Sequence, residues 1–544
     1  MTIELNALSY ILLTTIFSAA SIIAIQNGRH PDAHPIVINS QGEFSPLRYA
    51  EESATVKSRM YPSGAPLLSF NDQSIKTLSE LYQVAFLKFK ANPFLGVRVH
   101  NQQVIWVYES ISIVQSIFSG LVNVANLVAC SEKSNSFVGI YASTSPACHW
   151  GGLVTIPIAA QATSSHLLHV IRNTLLTTMV IDQTHLDFTL QAIEGTSVKY
   201  IIVIDSEEES EINYFGVFIF SLQALKKLGQ EKLIDRSNLL TYDSIASVND
   251  HDDQKPLGVI LTHKNLLSAI SSYKVHPPNN HKITSKDRLV HSFAIDNVLG
   301  YVLQALTTYS GGSIAFEDKI SHNDFNLDVE TILSTLKQLK PTIYSSGAPF
   351  LKQVQKLITN KYGNSFIFQR GIDRKNRYHL EGRLVSDCMY DMLVFRDIRQ
   401  KMFGGHVRML YMDDDGTDNS KLDLGSFYRA VLGSQVIKTF SRAETSSGIA
   451  ATVVYDYTPE KKLVGPPLPS MEIKLVDYNE FTAEDLPNPR GEIHVRGNNV
   501  FVGYWNNIEA SMDAIHPDGW FNTNMVGEVL PNGSFLLLGS KNGL

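Results

Sequence analysis

Cysteine is scarce and scattered: Cys130, Cys148 and Cys388 are the three cysteines of a 544-residue chain. An odd number so widely spaced excludes a disulfide scaffold and a CxxC metal site, and leaves three ordinary semi-buried thiols. There is no lysine or arginine run and the net charge is −7, so no nucleic-acid surface is indicated and small molecules and lipids remain as partners. Internal repeats, heptad runs and low-complexity tracts are missing too. What the chain does have is apolar bulk. At 44% hydrophobic residues it can bury a large core, and its length implies more than one structural unit.

One stretch lacks charge altogether. Leu5 to Ile25 (LNALSYILLTTIFSAASIIAI) is long enough, at about 1.5 Å per residue, to match a hydrocarbon layer ~30 Å thick. It predicts a transmembrane anchor within residues 1–30. A cleaved signal peptide is the alternative, but Met1 to Glu4 holds no basic side chain and the first arginine, Arg29, follows the span. Glu4 before it and Arg29 after it favour a single-pass protein with a cytosolic bulk. The endoplasmic reticulum is the expected membrane, with the mitochondrial outer membrane or peroxisome as alternatives. His30 to Asn71, rich in Pro, Ser and Gly, reads as a linker (31–72).

From Phe137 onward, short apolar runs alternate with helical patterns. Phe137–Tyr141, Leu153–Ile158, Met179–Ile181 and Tyr200–Ile204 read as strands, and Leu167, Leu168 and Ile171 fall on one face of a helix over Ser165–Thr174. This alternation predicts parallel βαβ units in an α/β fold. The charged run Asp205 to Glu211 (DSEEESE) is a solvated connection in this reading. A second series follows: a strand at Gly258–Leu261 entering a helix at Lys264, a strand at Ser313–Phe316, and a helix marked by Val329, Ile332, Leu333, Leu336 and Leu339 that stops before Pro341. The region of about 450–540 changes to short β segments such as Met471–Val476 and Glu492–Val495, a smaller β-rich unit beside two parallel sheets.

Seven stretches fall in one recognisable order: Asn92–Gly96 (NPFLG), Gly258–Leu266 (GVILTHKNL), Lys340–Thr342 (KPT), Leu393–Arg408 (LVFRDIRQKMFGGHVR), Gly465–Asp477 (GPPLPSMEIKLVD), Arg490–Trp505 (RGEIHVRGNNVFVGYW) and Asp518–Thr523 (DGWFNT). Together they resemble the long-chain acyl-CoA synthetases, a branch of the adenylate-forming, AMP-binding ligases. The resemblance implies the large N-terminal domain of such ligases over 73–540, with ATP, Mg and CoA as cofactors and a long-chain fatty acid or acyl-CoA as partner. It also implies a two-step reaction: a fatty acid attacks ATP to give acyl-AMP and pyrophosphate, and CoA then displaces AMP. A carboxylate is a poor electrophile, so this activation needs a phosphate loop, a magnesium ion and cationic help for the developing charge.

The chain departs from the family at each of these places. Where the family has a Ser/Thr/Gly-rich loop ending in Pro-Lys-Gly, Asn249 to Gly258 reads NDHDDQKPLG. Leu257 takes the lysine position, and Asp250, Asp252 and Asp253 would each cost about 1 to 3 kcal/mol beside a phosphate at ~5 Å and a dielectric of roughly 20 to 40. Two rescues stand open: Lys255 swinging in, or aspartates holding Mg²⁺ that bridges to phosphate. Phe440 to Thr445 (FSRAET) matches a Tyr-Gly-x-Thr-Glu-Thr pattern. Glu444 stands at the magnesium position with Thr445 after it, while Phe440, Ser441 and Ala443 depart; a solvated glutamate is the alternative reading of Glu444. The adenine turn expected after Arg408 is replaced by Tyr411 to Asp418 (YMDDDGTD), and Ser346–Pro349 (SGAP) lies too far upstream to substitute. After the Trp-Phe pair the family's Thr-Gly-Asp reads Thr523, Asn524, Met525, and a thioether cannot grip two ribose hydroxyls.

Gly539 to Leu544 (GSKNGL) resembles the hinge that opens the family's C-terminal domain, with Ser540 and Gly543 in place of arginine and aspartate, so 541–544 read as the start of a hinge with that domain absent. The cofactor-binding remnants are therefore Gly258, Glu444, Thr445 and Thr523, with Glu444 the metal candidate and no intact catalytic residue. Three readings follow: a fatty acid CoA ligase with impaired or lost catalysis, a membrane-anchored pseudoenzyme binding lipid or a partner, or an incomplete gene product.

Overall fold

The computed structural model describes residues 7–27, 30–70, 72, 74–98, 104–107, 111–127, 136–141, 153–159, 162–206, 210–234, 243–249, 258–293, 296–316, 329–414 and 423–541. Cys130, Cys148, Arg29, Glu207 to Glu209, Asp250 to Leu257, Asp415 to Asp418 and Asn542 to Leu544 lie outside them.

Three sheets organise the described chain. The first has eight strands in the order Val259–Thr262, Ile245–Asn249, Val154–Pro157, Phe137–Tyr141, Thr178–Ile181, Tyr200–Val203, Val217–Ser221, Glu211–Tyr214. Its interior pairings are parallel, which requires crossover helices. Ser164–Thr174 is one, started by Thr163, whose side chain accepts the His166 amide. The second sheet also has eight strands: Ser447–Ala451, Gln435–Arg442, Met409–Asp413, Ile343–Gly347, Arg288–His291, Ser313–Phe316, Leu95–Arg98 and Val104–Val107. The third is antiparallel and seven-stranded, built on Met471–Val476, Arg490–Gly497, Phe521–Val529 and Phe535–Ser540. Strand and helix positions thus follow the apolar runs in the sequence, and Ser313–Phe316, Val329–Leu339 and Met471–Val476 form over the expected residues.

Two expectations need correction. His30 to Asn71 is more than a linker, because Gly42–Phe44 and Val56–Ser58 join the edge of the third sheet through pairing of Val56 with Ile473. Gln41 is fully buried there, donating to Asp456 Oδ2 at 2.7 Å and accepting from Ser534. Polar side chains inside a Pro/Ser/Gly-rich stretch hide such docking, since the partners lie hundreds of residues away. The expected transmembrane segment forms the helix Ala7–Asn27. Among the described residues no helix is long and apolar enough to cross a membrane, so a span is not part of the described fold.

The family-like motifs serve as framework. Arg408 donates from Nε and Nη2 to the two carboxylate oxygens of Asp287, both at 2.7 Å, and Thr342 adds its hydroxyl to Oδ1 at 2.9 Å. These bonds tie the Lys340–Thr342 and Leu393–Arg408 motifs to the start of the Arg288–His291 strand. Cys388 is half-buried and donates to Asp391 Oδ2 at 3.1 Å; burial and this bond push its thiol up, which makes it a structural thiol.

Candidate active site

In a parallel sheet, ligands meet the carboxyl ends of the strands, where loops and helix starts converge. At that end of the second sheet stand His291, Gly347, Asp413 and the long strand Gln435–Arg442. Ser441, in a position where the family has glycine, donates to Asp413 Oδ1 at 2.5 Å, and Asn297 Nδ2 donates to Asp413 Oδ2 at 3.3 Å. Asn297 also caps the helix Val298–Tyr309 by accepting the Gly300 amide. His291 is buried between Phe293 and Phe316, and burial pulls its imidazole down to about 4 despite an opposing backbone contact to Phe293. It is therefore neutral at physiological pH.

The strand then turns through Ala443–Thr445 into Ser447–Ala451. Asn498 to Trp505 runs alongside this turn and fastens it. Phe501 donates its amide to Glu444 O at 2.7 Å, Asn499 donates to Thr445 O and Gly448 O at 2.9 and 3.1 Å, and Trp505 donates its amide to Gly258 O at 2.7 Å. Gly258, Glu444 and Thr445 are thus brought together by one segment. Thr523 lies apart, on the strand Phe521–Val529, reached from this segment through the ring contact of Phe501 with Phe521.

The polar atoms of these four residues are largely committed to the protein itself. Tyr504 donates its hydroxyl to Glu444 Oε1 at 3.1 Å. Burial and the adjacent Glu444 carboxylate hold that phenol well above its usual range, so it stays a donor. Thr445 Oγ1 lies 2.9 Å from Ser447 O, and Thr523 Oγ1 donates to Ile493 O at 2.8 Å while accepting the Met525 amide. A Cβ on Gly258 would sit 2.8 Å from Val248 Cγ1 and 3.1 Å from Trp505 Cβ, which makes this glycine a packing residue. Met525 is 6% exposed and belongs to the same core cluster as Ile493, Phe521 and Leu537. Among the described residues no group of three or more His, Cys, Asp or Glu could hold a metal ion.

Sequence reasoning missed Asp413, Asn297 and Tyr504. The signals were the acidic run at 413–415 and an asparagine immediately before an apolar helical pattern. Nothing local marks Tyr504 as the partner of Glu444. A further polar cluster sits on the third sheet, where Glu492 accepts from Lys541 Nζ at 2.8 Å and contacts His494 Nε2 at 3.2 Å. Burial opposes ionisation of Glu492, but hydrogen bonds from His494, Lys541 and Asn522 outweigh it and bring its carboxyl down to about 2.

The fold is that of the large N-terminal domain of adenylate-forming proteins. The sequence model of the AMP-binding enzymes matches residues 255–505. The chain is 26% identical over 571 residues to human long-chain-fatty-acid–CoA ligase 6, covering 98% of this chain and 77% of that protein. It is 27% identical over 496 residues to long chain acyl-CoA synthetase 7, peroxisomal, of Arabidopsis thaliana, covering 86% and 67%. Among solved structures, the AMP-bound A domain of carboxylic acid reductase from Segniliparus rugosus superposes with a TM-score of 0.64 at 17% identity, covering 87% of this chain and 75% of that one. A long-chain-fatty-acid–CoA ligase of Archaeoglobus fulgidus gives 0.63 at 16%, covering 88% and 86%. The chain is thus similar to the adenylate-forming, AMP-binding enzymes over residues 255–505 and to long-chain acyl-CoA synthetases over nearly its whole length.

That family implies ATP, magnesium and CoA. The described residues do not fit the ribose: where the family grips it with a carboxylate, Met525 is packed in the core.

Proposed function

We propose that this protein is a long-chain acyl-CoA synthetase relative whose adenylation chemistry is impaired or lost, and that it acts by binding a long-chain fatty acid or acyl-CoA on the retained scaffold. The observation that carries this reading is the strand Phe521–Val529: it turns Thr523 and Met525 inward and Asn524 to solvent, leaving no carboxylate in the ribose position. Three aspartates also stand, in sequence, at positions where the family has its Ser/Thr/Gly-rich phosphate loop. Losing several such contributions at about 2 kcal/mol each compounds to orders of magnitude in rate.

ATP–pyrophosphate exchange with a panel of fatty acids tests the reading. The expected result is no acyl-dependent exchange above a control without protein; acyl-dependent exchange overturns it. Quenching or shift of a fluorescent long-chain fatty acid tests the binding half, and no response leaves the scaffold to a protein partner. The charge-free helix Ala7–Asn27, whose described side chains are mostly exposed, is the segment we assign to membrane attachment at the endoplasmic reticulum. Release of the full chain from membranes by alkaline carbonate would rule out an integral anchor.

A further inference from the structure

Pro35–Ile38 (PIVI) is an apolar helical turn that the fold leaves in water. His34 starts it by accepting the Ile36 amide on Nδ1 at 3.2 Å, and Pro35 takes the first helical position. The Val37 amide donates to His34 O and the Asn39 amide to Pro35 O, at 2.9 and 2.8 Å. None of the four residues is buried, with Ile36 70% and Val37 41% exposed. A single exposed apolar side chain needs no explanation. A capped turn of four apolar residues is a formed apolar edge.

The body grips the chain on both sides of this turn. Upstream, Asp32 donates its amide to Gly382 O at 2.9 Å and accepts on Oδ2 from the Leu384 amide and the Tyr457 hydroxyl, each at 2.7 Å. Downstream, Gln41 is buried against Asp456 and Ser534, and its amide donates to Asn532 O at 2.8 Å. Gly382 follows the helix Phe366–Leu380 by two residues, so Leu380, 70% exposed, stands close to the point where Asp32 docks. Arg377 lies one turn earlier on the same helix face and is exposed as well. Glu381, the acid next to Leu380, is paired with Arg383.

The tether to the N-terminal helix is short. Ala7–Asn27 ends five residues before Asp32, and a chain extends at most ~3.6 Å per residue, so Asp32 lies within ~18 Å of the helix end. Tyr10, Ile11, Leu13, Ile16, Phe17 and Ile22 of that helix are each more than half exposed, so the described fold does not bury it. Once the helix is held in a bilayer, the face around Asp32 is held beside the headgroups.

We propose that Pro35–Ile38 and Leu380 form a foot that enters the interfacial layer of the bilayer holding Ala7–Asn27, with Arg377 toward the lipid phosphates. This rests on the membrane attachment proposed above for that helix. The foot seats the body on the membrane in one orientation, where a free tether would leave it to tumble. Tether length selects a lipid surface as the occupant, because a protein partner would have to fit between the foot and the bilayer within that ~18 Å. The chemistry agrees: apolar side chains gain by leaving water for the acyl boundary, and a cation beside them matches lipid phosphate.

The full chain reconstituted into phosphatidylcholine vesicles provides the test, with tryptophan as the probe. Ile36→Trp and Leu380→Trp each add one indole, at an exposed position, to the four tryptophans of the chain. Lipid brominated high on the acyl chain should quench the added emission about twofold or more, while aqueous iodide reaches it far less than free tryptophan. Ile36→Asp with Val37→Asp, both exposed, should return the Leu380→Trp indole to iodide without releasing the chain from the membrane; lipid quenching unchanged by that pair overturns the proposal. Release of the parent chain by alkaline carbonate removes the anchor and the foot with it. A chain that stays in the membrane while both indoles remain open to iodide and indifferent to brominated lipid overturns the foot alone. Indoles shielded from both quenchers mark a protein neighbour, which overturns it as well.

Discussion

Replacing Met525 by aspartate restores the residue type that the family uses for the ribose, and it is expected to unfold the protein's third sheet before it restores any nucleotide binding. Met525 is 6% exposed and shares a core cluster with Ile493, Phe521, Val529 and Leu537. Removing the thioether forfeits about 1.5 to 3 kcal/mol of apolar burial. The new carboxyl would have to stay protonated at pH 7 to remain buried. With an unfolded-state value of about 3.9 that costs roughly 4 kcal/mol at ~1.4 kcal/mol per pKa unit. The sum, on the order of 5 to 7 kcal/mol, rivals the ~5–15 kcal/mol that holds a typical domain together. The folded pKa of the new aspartate would lie above its unfolded value, so the penalty grows as pH rises past about 4 and shrinks below it. Thermal unfolding of Met525→Asp and of the volume-conserving control Met525→Leu, measured from pH 4 to 8, reads this directly, with a fluorescent ATP analogue titrated into each. Unchanged stability of Met525→Asp together with new ATP-analogue binding would refute the reasoning, because it would place the side chain in the crevice.

Three other outcomes follow from the geometry. Gly448→Ala would set a Cβ 2.3 Å from Tyr273 Oη and 2.4 Å from Leu468 Cδ1; a loss of about 1–3 kcal/mol is expected in urea melts, while Gly347→Ala, with its nearest contact at 3.5 Å, should cost well under that. Arg408→Met leaves the buried Asp287 without its two guanidinium hydrogen bonds, and a loss of about 3–5 kcal/mol should appear as a lower urea midpoint. The Glu492 carboxyl is held at about 2 against an ordinary 4.5, so its contribution is complete above pH 4.5 and is lost as pH falls toward 2. Lys541→Met should therefore raise the midpoint of acid unfolding followed by circular dichroism.

Much of the architecture was legible in the residues. Apolar runs of three to six residues between helical patterns marked the parallel strands, since a strand buried on both faces needs apolar side chains on both. The helix expected to enter at Lys264 begins at His263, where Thr262 caps it by accepting the Asn265 amide. The docking of Gly42–Phe44 and Val56–Ser58 on Met471–Val476 was not legible, because three-residue edge strands carry almost no periodic signal.

The sequence by itself determined the likeness to the family and where the chain departs from it: the ordered motifs from Asn92 to Thr523 and the substitutions at Leu257, Ala443 and Met525 are matters of residue identity. Only the tertiary structure decided what the surviving site residues do. By sequence position Glu444 is a magnesium candidate with a solvated glutamate as the alternative, and it took the packing of Asn498–Trp505 to bring the Tyr504 hydroxyl to its carboxylate. A hydrogen bond between residues sixty positions apart depends on how two sheets meet, and no local pattern encodes that distance.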